Sequence, residues 1–177
     1  MTQQQETRSD EIARVRGYLV SQAIKRTPEQ IVEALREAHK QLLDATAKVP
    51  TDAFRRVPRE GEWAAVDVLA HVRMMAMIEA RSIPLAAERG ERPGSIRDTL
   101  EAAAPDTTRE ALLASINEAR QHLIAAVLRA DPEAHLNVRW SVSEFGELNW
   151  RECLLFARVH TLDHARQLAA IAEAVGG

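Results

Sequence analysis

The carboxyl-terminal segment carries a regular stripe that constrains the fold of this chain more than any other feature. Its inward positions recur at alternating steps of four and three residues, in the order Trp150, Leu154, Ala157, Thr161, His164, Leu168, Ile171 and Val175. This spacing puts every member on one face of an α-helix, and it is typical of helices that pack side by side. The stripe therefore predicts a long helix at the seam of a helical bundle.

Helix-start signals divide much of the remaining chain. Residues 27–30 place threonine, proline, glutamate and glutamine in the order of a capping box, and they predict a helix that runs to about Lys48. Residues 107–110 predict a second capping box, which opens a helix that ends before Asp131. Residues 149–152 cap the final helix in the same manner.

Two further helices lack such a signal. One begins near Ala65, carries apolar residues at three- and four-residue steps, and is expected to end or kink at Pro84. The other covers residues 9–25 and is amphipathic. Its apolar face consists of Ile12, Val15, Leu19 and Ala23. The connection over residues 90–106 is expected to hold a short helical turn near residues 95–102.

These segments predict an all-α fold. Aromatic residues make up only 4% of the chain, and no strong alternation of apolar and polar residues supports a strand. We predict a four-helix bundle domain over residues 27–177. Residues 1–26 are expected to form an extension whose helix packs across the bundle or against a second subunit. A homodimer is favoured, because symmetric pairs are the commonest oligomers.

Composition and charge argue against several classes of protein. The 23 basic and 26 acidic residues leave a net charge of −3, which argues against a nucleic-acid partner. No apolar run approaches the ~18 residues needed to cross a bilayer, so we expect no membrane partner. The single cysteine, Cys153, cannot form an internal disulfide, and the polar amino terminus lacks the apolar stretch of a signal peptide. We therefore expect a cytoplasmic protein.

Two histidines on the final helix are candidate metal ligands. His160 and His164 are four residues apart, so both imidazoles project from one face with Cβ atoms roughly 5–6 Å apart. His71 lies on the inward stripe of another helix and is the candidate third ligand. Bundle cores build metal sites from facing helices in this way, although a hydrogen-bonded core histidine is the plain alternative for each residue. Three imidazoles accept zinc, nickel, copper or iron.

Two motifs resemble those of the DinB-like family. Trp63 is followed eight residues later by His71, which is similar to a tryptophan–histidine motif of that family. Residues 160–168 read HTLDHARQL and look like the family's final helix, in which two histidines at a four-residue spacing are followed by glutamine. The resemblance covers residues 27–174.

The resemblance implies a fold, a metal and a chemistry. It implies an up-down-down-up four-helix bundle that holds a divalent metal, usually zinc or nickel, through His71, His160 and His164. Family members of known activity are thiol-dependent transferases, including bacillithiol transferases and mycothiol-dependent maleylpyruvate isomerases. The chain departs from the family at Ala64, where a serine often follows the tryptophan, and this removes an expected N-cap hydroxyl.

Several neighbours of the three histidines have competing interpretations. Gln167 lies one turn beyond the histidine pair and is a candidate to reach the cavity. Met75 lies one turn after the histidine of the other helix and either lines a pocket wall or packs in the core. Asp163 either holds a ligand's second ring nitrogen or forms a surface ion pair. Cys153 is expected to be a buried structural thiol, because it lies about 10.5 Å along the helix from the pair.

The remaining histidines and the tryptophans carry no recognised site pattern. We interpret His39, His122 and His135 as surface or core residues, and Trp63, Trp140 and Trp150 as structural anchors.

A metal-dependent enzyme is the favoured function, and two alternatives stay open. A bound metal ion lowers the pKa of a coordinated thiol or water, so that a nucleophile exists near neutral pH. The family resemblance favours transfer of a low-molecular-weight thiol to an electrophilic small molecule. The spacing of the histidines does not distinguish thiol from water, so a metal-dependent hydrolase is the close alternative. A non-catalytic metal- or ligand-binding bundle is the alternative from another class.

Overall fold

The computed structural model describes residues 3–97, 99 and 102–176. Five α-helices account for most of this length, which confirms the all-α prediction. Their bounds are α1 Gln3–Lys25, α2 Pro28–Lys48, α3 Ala65–Arg89, α4 Arg109–Arg129 and α5 Trp150–Val175. Helices α2 to α5 form the four-helix bundle, and α1 packs mainly against α5.

Contacts between helix ends establish the direction of each helix. Arg151, in the first turn of α5, donates a hydrogen bond to the carbonyl oxygen of Arg26, just before α2. Glu88 and Arg129, in the last turns of α3 and α4, form an ion pair at 2.8 Å. Helices α2 and α5 are therefore parallel to each other, as are α3 and α4. The start of α4 contacts the end of α2 through Arg109 and Val49, so the two pairs run in opposite directions. This is the up-down-down-up arrangement.

The connection over residues 90–108 returns the chain from the end of α3 to the opposite end of the bundle. There the carboxylate of Asp67, in the first turn of α3, accepts a hydrogen bond from the backbone N–H of Ala103 at 3.0 Å. Arg109, at the start of α4, donates to the carbonyl oxygen of Val49, just after α2, at 2.7 Å. Because two consecutive parallel helices need a long return, this connection is a requirement of the topology.

The helix caps confirm two of the three predicted capping boxes. Thr27 and Asn149 each accept from the backbone N–H three residues later, and Gln30 and Glu152 return a bond to the cap. The expected box at residues 107–110 is wrong by one residue. The cap is Thr108, whose hydroxyl accepts from the N–H of Ala111 at 3.1 Å. The start of α3 has no side-chain cap, as the alanine at position 64 predicts.

The sequence predicts that α3 ends or kinks at Pro84. The predicted end is wrong, because α3 continues to Arg89. A proline removes one N–H donor, and the packing of the surrounding turns compensates for that loss. Pro84 itself is buried in the core. The helix ends instead at Gly90, which adopts φ +65°, the left-handed conformation that glycine tolerates. A Cβ atom at Gly90 would approach Nδ1 of His135 to 2.6 Å, so the site also requires a small residue.

The structure contains two short strands that the sequence does not predict. Strand β1, Trp140–Ser141, pairs antiparallel with β2, Glu147–Leu148. Ile96 extends this pairing through a bridge to Val142. The helical turn expected near residues 95–102 is therefore wrong at its start, and residues 98, 100 and 101 lie outside the described part of the chain. The sequence does not predict these strands, because two residues are too few to show the alternation of apolar and polar residues that is typical of a strand.

A single apolar cluster fills the bundle, and α1 contributes to it. Leu19 is fully buried in that cluster and Ala23 is nearly so. The hydroxyl of Tyr18 accepts a hydrogen bond from Arg158 of α5 at 3.0 Å. Helix α1 thus covers part of α5 within the same protein chain. Within the described residues, every helix is too short or too polar to cross a membrane.

Candidate metal centre

Three histidine side chains converge between α3 and α5. His71 lies in the second turn of α3, while His160 and His164 lie one turn apart on α5. Nε2 of His160 is 3.0 Å from Nε2 of His71 and 3.1 Å from Nε2 of His164. The structure therefore brings together the three residues that the sequence singled out, from two antiparallel helices.

The distances between these nitrogens fit a metal ion. One nitrogen from each ring lies within 4.8 Å of the other two. Three nitrogens bound at 2.0–2.1 Å to a tetrahedral zinc ion lie about 3.3 Å apart, close to the observed separations. Nδ1 of His160 is buried and has no hydrogen-bond partner in the described part of the chain. The polar contacts of this ring are thus made through Nε2, the atom that faces the other two histidines.

Burial keeps the central histidine neutral. Desolvation lowers the pKa of His160 well below its usual value, and the neighbouring His164, His71 and Arg120 lower it further. A neutral imidazole retains the lone pair that a metal ion requires. The ring closest to both other ligands is therefore in its metal-binding form at neutral pH.

Gln167 orients the outermost histidine. Its Oε1 lies 2.8 Å from Nδ1 of His164. An amide oxygen only accepts, so the proton of this bond is on Nδ1 and the lone pair of His164 is on Nε2. Metal-bound histidines commonly use their second nitrogen in this manner. The structure thus gives Gln167 a direct contact with a candidate ligand.

Two aromatic rings enclose the histidines. The ring of Trp63 is nearly parallel to that of His164, with centroids 6.3 Å apart, and meets His71 edge-on at 5.5 Å. Phe156 packs against His160 at 5.6 Å. The sequence predicts only a structural anchor at Trp63, and the structure places it as a wall of the site. The spacing between Trp63 and His71 in the sequence was the signal that could have identified it.

The other candidates lie away from the three nitrogens. Asp163 is exposed on α5. Met75 is fully buried in the core, and the cavity beside His71 is lined by Met74 and Met77 instead. Cys153 is also buried, and burial raises the pKa of its thiol well above the usual value. Burial and a raised pKa are both expected of a structural thiol.

Two cavities border the site on different sides. One of about 810 Å³ lies between α3 and α4, and its wall includes His71 and the thioethers of Met74 and Met77. The other, of about 410 Å³, is bordered by Trp63 and Gln167. Small molecules therefore have space next to residues that touch the histidines.

Comparison with known protein families identifies the superfamily. The model of the DinB superfamily matches residues 9–168, which is most of the chain. The chain belongs to the DinB superfamily. A comparison with curated protein sequences finds no significant match.

Solved structures share the fold of this DinB-superfamily member at low sequence identity. TT2238, described as a four-helix bundle protein, matches with a TM-score of 0.64 at 24% identity, over 81% of this chain and 99% of that chain. The mycothiol-dependent maleylpyruvate isomerase matches with a TM-score of 0.62 at 17% identity, and a mutant of it with 0.63 at 16%. Both isomerase matches cover 82% of this chain but only 62% of the isomerase. At these identities the likeness establishes the shared fold.

Proposed function

We propose that this protein binds a divalent metal ion, zinc or nickel, and transfers a low-molecular-weight thiol to an electrophilic small molecule. The ligands are His71, His160 and His164. The convergence of their three Nε2 atoms is the observation that carries the proposal. The similarity to a mycothiol-dependent isomerase supports a thiol as the second substrate.

The residues around the site have separate roles in this proposal. A metal ion bound to the three histidines would lower the pKa of a coordinated thiol or water, so that thiolate or hydroxide would exist near neutral pH. Gln167 holds His164 in the tautomer that directs Nε2 inward. Trp63 and Phe156 pack against the histidine rings and form apolar walls beside them. The cavity beside Met74 and Met77 receives the apolar part of the electrophile.

The proposal also includes the cellular location, the oligomeric state and the domain organisation of the protein. We place it in the cytoplasm, where low-molecular-weight thiols are abundant and its single cysteine remains reduced. We propose a homodimer, with residues 1–26 as an extension of the bundle domain over residues 27–177.

Elemental analysis followed by a turnover assay tests this function. The protein is purified without a metal-binding tag, and one equivalent of zinc or nickel per chain is expected. The metal-loaded protein is then incubated with several thiols and a panel of electrophiles. Consumption of thiol with formation of a thioether supports the transferase. Turnover with water alone identifies a hydrolase, and bound metal without any turnover identifies a non-catalytic bundle.

A further inference from the structure

A buried polar bridge crosses the core next to the histidines. The guanidinium of Arg120 on α4 donates from Nη1 to Oε2 of Glu79 on α3 at 2.5 Å. It donates from Nη2 to the hydroxyl oxygen of Thr161 on α5 at 3.0 Å. The Arg120 and Glu79 side chains are only 3% and 1% exposed, and Thr161 is fully buried. We call these three residues the Arg120 bridge.

The Arg120 bridge joins the two helices that supply the histidines. Thr161 directly follows His160 on α5, and Glu79 is on α3, eight residues after His71, or about 12 Å along the helix. The hydroxyl of Thr161 in turn donates to the carbonyl oxygen of Ala157 at 2.7 Å, which holds its rotamer. One guanidinium therefore links α3 to the turn of α5 that carries a candidate ligand.

The two spacings within the histidine cluster have different origins. Helix geometry sets the distance between His160 and His164, because they lie one turn apart on α5. The distance from His71 to His160 depends on how α3 packs against α5. Metal–ligand distances tolerate only about ±0.2 Å, so a small shift between these two helices would displace His71 from the site.

Stability alone does not account for the Arg120 bridge. The desolvation of two buried charges offsets much of their attraction, and replacing a buried ion pair by apolar residues is often neutral or stabilising. The N–H of Arg120 at Nε also lacks a hydrogen-bond partner among the described residues, which adds to the cost of burial. Burial of the Arg120 guanidinium therefore costs free energy, and the orientation of the helices that it joins explains why it is there.

We propose that Arg120, with Glu79 and Thr161, positions α3 against α5 so that His71 reaches the other two ligands. The bridge determines metal affinity and coordination geometry more than it determines the stability of the fold. This inference rests on the proposed function, because it requires that the three histidines bind a metal ion.

Two sets of variants separate positioning from stability. Thr161→Val removes the hydroxyl at nearly constant volume and should weaken zinc binding about tenfold, the lower end of the effect of losing a residue that orients a ligand. Thr161→Ser retains the hydroxyl and should restore affinity. The double variant Glu79→Leu with Arg120→Met removes both charges together, so neither charge is left buried without the other. It should weaken zinc binding about tenfold while keeping or raising the melting temperature.

Asn117→Ala is the matched control. Asn117 is also on α4, and its Oδ1 contacts Nε2 of His39 on α2, a helix that carries none of the three histidines. This variant loses a polar link between helices and should lower the melting temperature without changing zinc affinity. All affinities are measured by competition with a chelator, at a temperature well below every melting point. The visible absorption of bound Co²⁺ gives a second readout, since it reports coordination geometry.

The outcomes distinguish this inference from the proposed function. Weaker binding and an altered Co²⁺ spectrum in the double variant, with the control unchanged, support the Arg120 bridge as a positioning device. Wild-type zinc affinity in a folded double variant would overturn the inference alone. A wild-type protein that binds no metal would overturn the proposed function and the inference with it. If Thr161→Val does not fold, the double variant decides.

Discussion

Oε1 of Gln167 lies 2.8 Å from Nδ1 of His164, one turn along the same helix. This contact fixes which nitrogen of the imidazole carries the proton, and the lone pair of Nε2 is then directed toward His160, whose Nε2 lies 3.1 Å away. A residue with no metal-ligating role of its own thus controls the form of a candidate ligand.

We expect Gln167→Leu to weaken metal binding by about 10- to 100-fold, because the hydrogen bond between Nδ1 of His164 and the Gln167 amide oxygen is lost. Gln167→Glu keeps an acceptor oxygen and should retain most of the affinity. Titration with zinc against a competing chelator measures both. Gln41→Leu is the control, since Gln41 is exposed on α2. Equal affinities in all three variants would show that the contact has no effect on the site.

Alanine variants of the three histidines should each lose most of the bound metal. Removing one nitrogen leaves two ligands, and two imidazoles are fewer than the three or four protein ligands usual for zinc. His39→Ala and His122→Ala should retain metal, because His39 contacts Asn117 and His122 is exposed. Elemental analysis after dialysis gives the result. Retention of metal by all five variants would exclude this site.

A chelator should lower the melting temperature at pH 7.5 and have little effect at pH 5. Metal at 100 to 1,000 times its dissociation constant adds about 3–4 kcal/mol to the free energy of unfolding. Acid removes this contribution because protons compete with the metal for the imidazoles. Thermal unfolding with and without the chelator at both pH values tests the prediction. The absence of any difference at pH 7.5 would argue against a metal that stabilises the fold.

The metal-free protein should also lose stability as the pH falls below about 6.5. Burial holds the pKa of His160 well below its usual value of 6.5 in the folded state. The unfolded chain therefore binds a proton in this range that the folded chain does not bind, and protons favour unfolding. Chemical unfolding of chelated protein between pH 7.5 and 5 measures the slope. His160→Gln should reduce it, whereas an unchanged slope would assign the effect to other groups.

Leu19→Ala should destabilise the protein by about 2–5 kcal/mol, because Leu19 is fully buried against the bundle. For a chain of this length the melting temperature should fall by on the order of 10 °C. Ile24→Ala is the control, since Ile24 is 78% exposed on the same helix. Light scattering on the wild type tests the proposed homodimer separately. A wild-type melting temperature in Leu19→Ala would show that the packing of α1 against the bundle adds no stability.

Cys153 should react with a thiol reagent only after unfolding. It is 1% exposed, and burial, with the nearby Glu79 and Glu152 carboxylates, raises the pKa of its thiol well above the usual value. The reactive thiolate is therefore scarce and inaccessible in the folded state. A colorimetric reagent added before and after denaturant measures the difference. Rapid modification of the native protein would contradict the assignment of Cys153 as a buried structural thiol.

Local periodicity determined most of the fold. The stripe from Trp150 to Val175 and the capping boxes at Thr27 and Asn149 specify helices through contacts within three or four residues. The four-residue spacing of His160 and His164 likewise places two imidazoles together without reference to the rest of the chain. For these features the sequence is sufficient, because the interactions that create them lie within one helix.

Tertiary packing decided the rest. Helix α3 continues through Pro84, where the sequence predicts an end, because neighbouring residues bury Pro84 in the core. Ile96 joins the strands of residues 140–148, a pairing between segments more than forty residues apart. The approach of His71 to His160 and the stacking of Trp63 on His164 depend on the distance between α3 and α5 and on the loop before α3. Such distances arise from the whole core, so no local pattern encodes them.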